Sequence, residues 1–103
     1  MRTREAKPRA LVMNPRDAVA VLLDSAKGGD PATLLDLDLQ VLGTVEVRGG
    51  IERFHKVAIR EMAEGESVVK FGEVIGRASC QIARGDHVHV HNVVSARLSA
   101  ETM

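Results

Sequence analysis

Apolar residues in this chain come in short runs broken by glycine, proline and acidic side chains, and no run keeps a helical period beyond about ten residues. Leu35-Asp-Leu-Asp-Leu-Gln-Val41 alternates strictly. That predicts a strand with Leu35, Leu37, Leu39 and Val41 on one face and Asp36, Asp38 and Gln40 on the other. Thr44-Val-Glu-Val-Arg48, bracketed by Gly43 and Gly49-Gly50, reads as the returning strand of a hairpin. Val57-Ala-Ile59 is a further short strand. Val19-Ala-Val-Leu-Leu23 fits a buried strand, or a short helical turn capped by Asp17. Lys27-Gly-Gly-Asp-Pro31 is a turn. The pattern predicts a mostly β fold of short strands and glycine turns, with at most one or two short helical turns. Residues 1–13 read as a flexible lead, 14–95 as one domain and 96–103 as a tail.

The C-terminal half repeats itself. Met62-Ala-Glu-Gly-Glu-Ser-Val68 aligns with Ile82-Ala-Arg-Gly-Asp-His-Val88: apolar, Ala, polar, Gly, acid, any residue, Val. A glycine in the middle allows the positive φ that such turns often need, so Gly65 and Gly85 mark two similar turns, each leading into a strand.

The 103 residues amount to one domain with a modest core. Trp and Tyr are absent and Phe occurs twice, so that core is built from Val, Ile, Leu, Ala and Met. The scarcity of aromatics argues against single-stranded nucleic acid, whose bases need rings to stack on. Basic and acidic residues balance at 14 each, which leaves no overall field for nucleic acid or an anionic membrane. Arg2, Arg4, Lys7 and Arg9 near the start read as a solvated tail. The longest apolar stretch is far too short to span a bilayer, and Pro8, Asn14 and Pro15 interrupt any secretory leader. Cys80 is the single cysteine, expected as a buried or half-buried filler, and the default location is a reducing cytoplasm.

The chemically informative segment is Asp86-His-Val-His-Val-His-Asn92. On a strand, His87, His89 and His91 project from one face while Val88 and Val90 pack the core. Imidazole suits zinc, iron, nickel or copper, and a few histidines leave positions open for substrate. The competing reading is a solvated polar face. Alternate residues on a strand stand roughly 7 Å apart, so two of the three histidines joined by groups from elsewhere bind one ion more easily than all three. His55, in Phe54-His-Lys56, reads as an ordinary surface residue, with completion of such a site as the alternative. No nucleotide-binding glycine loop, nucleophile elbow or carboxylate pair is present.

Several of these segments together resemble one family. They are Asp17-Ala-Val-Ala-Val21, His55-Lys56, Ala63-Glu-Gly65 through Lys70-Phe-Gly72, Ile75-Gly76, and Ile82-Ala-Arg-Gly-Asp-His-Val-His-Val-His-Asn92. In order and spacing they resemble the N-terminal SAF domain of the altronate/galactarate dehydratases, over about Asn14 to Asn92. The resemblance implies a β-clip fold and a hydro-lyase that converts altronate or galactarate to a 2-keto-3-deoxy acid; sulfolactate is another substrate among relatives. It further implies a divalent metal, Fe2+ or Mn2+, and a large catalytic partner subunit, with self-association left open. On that reading His87, His89 and His91 are the expected metal ligands. Lys70, Lys56 and Asn92 are the expected contacts to the sugar acid, and no general base is identifiable, the partner being one place for it. The other reading is a non-catalytic SAF-type module that binds carbohydrate or a partner.

Overall fold

The computed structural model describes residues 7–95, and among them there is no helix. The strands are β1 (Arg9–Leu11), β2 (Val19–Leu22), β3 (Pro31–Leu35), β4 (Val41–Glu46), β5 (Lys56–Ala58), β6 (Ser67–Lys70), β7 (Glu73–Ala78), β8 (His87–Val88) and β9 (Val93–Ser95). Six form one sheet in the order β4-β3-β1-β2-β5-β8, and three form a second in the order β6-β7-β9. Among the described strands only β1 and β3 pair in parallel. The mostly β expectation holds.

Strands β2 and β5 are buried on both faces, which is why they read as continuous apolar runs. Ala20, Leu22 and Val57 enter one core with Ala10, Ala32, Leu34, Val45, Val47 and Ile51. Their neighbours Val19 and Ala58 face the opposite way, into a second core with Met62, Val68, Ala78, Ile82 and Val88. The shared sheet therefore separates two small apolar clusters. Val19–Leu22 is a strand and not a helical turn.

Three expectations change. The lead expected over residues 1–13 is not flexible from Arg9 onward. Strand β1 lies between β2 and β3, Ala10 is fully buried, and Arg9 grips Asp24 through Nε at 2.8 Å and Nη2 at 3.1 Å. Residues 1–6 and the tail 96–103 lie outside the described residues. Secondly, Leu35–Val41 is not one strand. Strand β3 stops at Leu35, where Asp36 Oδ1 accepts the N–H groups of Asp38 (2.8 Å) and Gln40 (2.9 Å) and folds the chain into a tight turn. An aspartate at a strand end competes for backbone donors in this way. Leu37, Leu39 and Val41 are consequently exposed, not buried on a common face. The hairpin itself forms, with β4 returning antiparallel along β3. Thirdly, Cys80 is exposed.

The repeat is one turn used four times. In Ala26–Pro31, Met62–Ser67 and Ile82–His87 a glycine takes positive φ: Gly29 at 92°, Gly65 at 87° and Gly85 at 96°. The acid that follows folds back on the N–H three residues earlier. Asp30 accepts from Lys27 (2.9 Å), Glu66 from Ala63 (2.9 Å) and Asp86 from Ala83 (2.8 Å). Ile51–Lys56 traces the same turn, closed by a 3.0 Å bond from His55 N–H to Glu52 O, as the others are closed at the matching positions. The copies pair, Ala26 with Ile51 and Met62 with Ile82. The Ile51 copy departs twice from the pattern: Phe54, at φ 71°, stands where the glycine belongs, and His55 stands where the acid belongs.

Candidate metal centre

The departure at His55 frees a side chain that would otherwise cap its own turn. The antiparallel pairing of β5 with β8 sets Lys56 opposite Val88 and Val57 opposite His87, and His55 and His89 lie just beyond the last pair, at the end of the ladder. Side chains alternate, which puts His55, His87 and His89 on one face of this sheet edge. Their rings gather there. His55 stacks on His89 with centroids 4.6 Å apart and on His87 at 5.0 Å, and His87 lies 5.4 Å from His89. Nδ1 of His55 is 2.8 Å from Nε2 of His87. One ring nitrogen from each of the three lies within 4.8 Å of the other two.

Strand β8 ends at Val88, so His89 and His91 ride on a turn and not on a continuing strand. Val88 is fully buried, as expected. Val90 is 82% exposed and does not pack the core, because the chain has already turned. Asn92 makes that turn. It is buried, its Oδ1 accepts the His89 N–H at 2.9 Å, and its Nδ2 donates to the His87 carbonyl at 2.8 Å. The amide thus holds two of the histidines in register. His91 is exposed; its ring is tilted 44° to that of His87 at 5.2 Å, outside the three-histidine group.

Burial, and then the neighbouring rings of His55, His91 and His89, push His87 below the ordinary imidazole value, with Glu52 pulling weakly the other way. A neutral imidazole is the form that ligates a metal. Metal–nitrogen bonds of about 2.0–2.1 Å set adjacent ligand atoms roughly 3.0–3.4 Å apart. The three nitrogens lie within 4.8 Å of one another on stacked rings, so the rings would have to turn toward a common point to reach that spacing; as donors, three imidazoles are of the type that holds a divalent ion.

Lys56 and Lys70 are half-buried and close enough to repel. Burial first, and Lys70 second, push the Lys56 ammonium below its usual value. Alternation turns Lys56 to the face opposite His55, yet His89 lines the same cleft of about 180 Å³ as Lys56, Ile75 and Val93. A larger cleft of about 510 Å³ on the other side of the row is lined by Arg48, Cys80, Gln81, His87 and His91. Asp86 also lines the larger cleft and pairs with Arg48 at 3.1 Å, so of the two hollows only the one beside Lys56 carries a cation unpaired among the described residues. Asp17 is buried at the far end of β2; its Oδ1 accepts the Gly72 N–H at 2.8 Å and its Oδ2 has no hydrogen-bond partner among the described residues.

The family model for the altronate/galactarate dehydratase SAF domain matches residues 8–96. The chain belongs to this SAF-domain family. It is 39% identical over 88 residues to the (2R)-sulfolactate sulfo-lyase subunit alpha of Chromohalobacter salexigens, covering 84% of this chain and 94% of that subunit. It is also 44% identical over 77 residues to an altronate dehydratase of Escherichia coli, covering 74% of this chain but 14% of the enzyme. With the altronate dehydratase of Bacillus subtilis it shares 47% over 49 residues, 48% of this chain and 10% of that enzyme. This SAF chain thus matches nearly all of a lyase subunit and a small fraction of two dehydratases. The relatives are lyases. Among its described residues no helix is long and apolar enough to cross a membrane.

Sequence spacing singled out the His87–His91 row and undervalued His55. The available signal was the fourth copy of the turn, Ile51-Glu-Arg-Phe-His55, which lacks both the glycine and the acid and so escapes a search for the repeat.

Proposed function

We propose that this SAF domain is the small, metal-holding component of a hydroxy-acid lyase that works with a large catalytic chain. The observation that carries the reading is the gathering of His55, His87 and His89 beside a pair of half-buried lysines. The three imidazoles hold one divalent ion, Fe2+ or Mn2+. Bound there, the ion would draw charge from the substrate's carboxylate and hydroxyl oxygens and ease departure of the β-substituent. Lys56 and Lys70 pair with a substrate acid group as point charges. Two ammonium groups held close together are each stabilised by an anion placed between them. Asn92 keeps the histidine turn in place. The proton α to the carboxylate passes to a base on the partner, the β-hydroxyl leaves as water, and the resulting enol becomes the 2-keto-3-deoxy acid.

An aldonate or aldarate such as altronate or galactarate is the first substrate class. Sulfolactate is the second, favoured by the 94% coverage of the sulfo-lyase subunit. Both classes are hydroxy acids, and galactarate and sulfolactate each carry a second acidic group for the lysine side of the row.

The test is metal content followed by turnover. The purified chain loaded with Mn2+ should retain about one ion, and His55→Ala and His89→Ala should abolish retention. Added to the large chain, the wild type should restore turnover of altronate, galactarate or sulfolactate, and His89→Ala should not. Full turnover with an unloaded His89→Ala chain would refute the metal assignment, and turnover by this chain alone would refute the two-component reading.

A further inference from the structure

The chain's two phenylalanines, Phe54 and Phe71, are both outside the two cores. Each is 62% exposed, and each sits in a left-handed backbone conformation, φ 71° for Phe54 and 56° for Phe71. A large side chain in that region is strained, and a phenyl ring left in water forfeits the burial that usually justifies it. Leu39 shares both features at the tip of the β3–β4 hairpin, with φ 63° and 65% exposure. What sets the phenylalanines apart is that each adjoins a residue of the proposed site, where broken local rules point to function.

The backbone of both turns is tied down. Phe54 N–H donates to Leu22 O at 2.6 Å, and the Arg53 guanidinium lies 4.6 Å from the centre of its ring. Next to Phe71, the Gly72 N–H is fixed by buried Asp17, while Arg16 Nη2 donates to the Gly72 carbonyl at 3.3 Å. Leu22 and Asp17 are five residues apart along β2 and its approach, roughly 17 Å at full extension, so the two turns are tied to opposite ends of one short segment. Phe54 directly precedes His55 and Lys56, and Phe71 directly follows Lys70, so the rings stand next to the residues of the proposed site. A preorganised aromatic with an arginine beside it has the composition of an interface hot spot.

We infer that Phe54 and Phe71, each with its arginine, are twin anchors by which the large catalytic chain docks onto this domain over the histidine site. This rests on the two-component reading above. The partner it fits offers two apolar sockets rimmed by carboxylates that meet Arg53 and Arg16. Its arrival would cover the cleft beside Lys56 and bring the missing base to the substrate. The occupant is the large chain and not a second copy, because the anchors border a site that is incomplete without a base, and because the matched part is 14% or less of the two altronate dehydratases, which leaves a large remainder to meet it.

The experiment uses the full chain and a large lyase chain from the same genome, chosen by its match to the unmatched part of the altronate dehydratases. Phe54→Asn and Phe71→Asn are the variants, since asparagine tolerates the left-handed region better than phenylalanine. The expected result has opposite signs: the melting temperature of the free variants stays level or rises, Mn2+ retention is unchanged, and the dissociation constant for the large chain rises at least tenfold for each. Wild-type binding with undiminished affinity in both variants overturns the docking surface and leaves the two-component reading standing. A wild-type chain that binds the large chain not at all overturns both. Variants that dissolve a self-association of this chain without weakening the large chain's binding overturn the choice of occupant.

Discussion

Val88 and Val90 are the same residue type two positions apart, yet one is fully buried and the other 82% exposed. Val88→Ala should cost about 1–3 kcal/mol through lost burial and a residual cavity, while Val90→Ala should stay within about 0.5 kcal/mol. Paired thermal melts would show the split, and a comparable loss at both positions would mean that the strand continues past Val88 after all. Asn92→Ala belongs to the same scale. It removes an acceptor and a donor whose backbone partners are part-buried, so it should lower stability by about 1–3 kcal/mol and weaken Mn2+ retention, because the turn carrying His89 loses its tie to His87. Melting and metal content measured on one sample separate this positioning role from that of His55, where only retention should fall.

The repeated turn sets the rules at the scale of an element. Gly65 and Gly85 occupy the same place in two copies and share a left-handed φ, but their surroundings differ. A Cβ on Gly65 meets open space, whereas one on Gly85 runs into the Glu46 carbonyl oxygen. Gly65→Ala should therefore cost only its backbone strain, about 1–2 kcal/mol. Gly85→Ala adds a collision with backbone and should cost about 3 kcal/mol or more, with the histidine strand β8 displaced. Urea unfolding of the two variants would order them; equal losses would mean that β4 yields freely. The acids of the turn bring in pH. The Ala63 N–H, and after it Arg60, hold the Glu66 carboxyl below its ordinary value. A folded pKa below the unfolded one adds stability above the unfolded value, and that contribution fades as the pH falls through the folded value. The gap in melting temperature between wild type and Glu66→Gln should be widest near neutrality and narrow as the pH drops below about 4. A gap that is constant with pH would assign the effect to shape and not charge.

Over the whole molecule, two small cores share one sheet, and the candidate site sits at that sheet's open edge on β5 and β8. The arrangement leaves little apolar mass to stiffen the site from behind. Rigidity comes instead from backbone ties such as Asn92 to the histidine turn and Asp17 to the Phe71-Gly72 turn. Exposed apolar residues lie at separate places: Leu37, Leu39, Val41 and Leu42 at the tip of the β3–β4 hairpin, the two phenylalanines and Val90 near the site, and Val74 and Val94 on the second sheet. With the large chain bound, the protection of amide hydrogens in residues 54–56 and 70–72 should rise, while that at the hairpin tip should not change. Hydrogen exchange would read this directly, and protection confined to the tip would move the interface to the far end of the domain.

The strand character of the chain was legible from short apolar runs and glycine turns, because alternation and turn chemistry are local properties that survive without tertiary context. So was the importance of the His87–His91 segment, since so dense a run of imidazoles has few structural uses. The sequence by itself also determined two of the turns, through Gly65 with Glu66 and Gly85 with Asp86. Tertiary structure decided what local pattern leaves degenerate. Leu35–Val41 alternates like a strand, but Asp36 takes backbone donors for its own turn and leaves the leucines in water. Residues 9–11 carry too short a pattern to stand out, and they become a central strand because β2 and β3 need a partner between them. His55 joined the site through the antiparallel register of β5 and β8, which brings together residues 34 positions apart; no spacing along the chain encodes that distance in space.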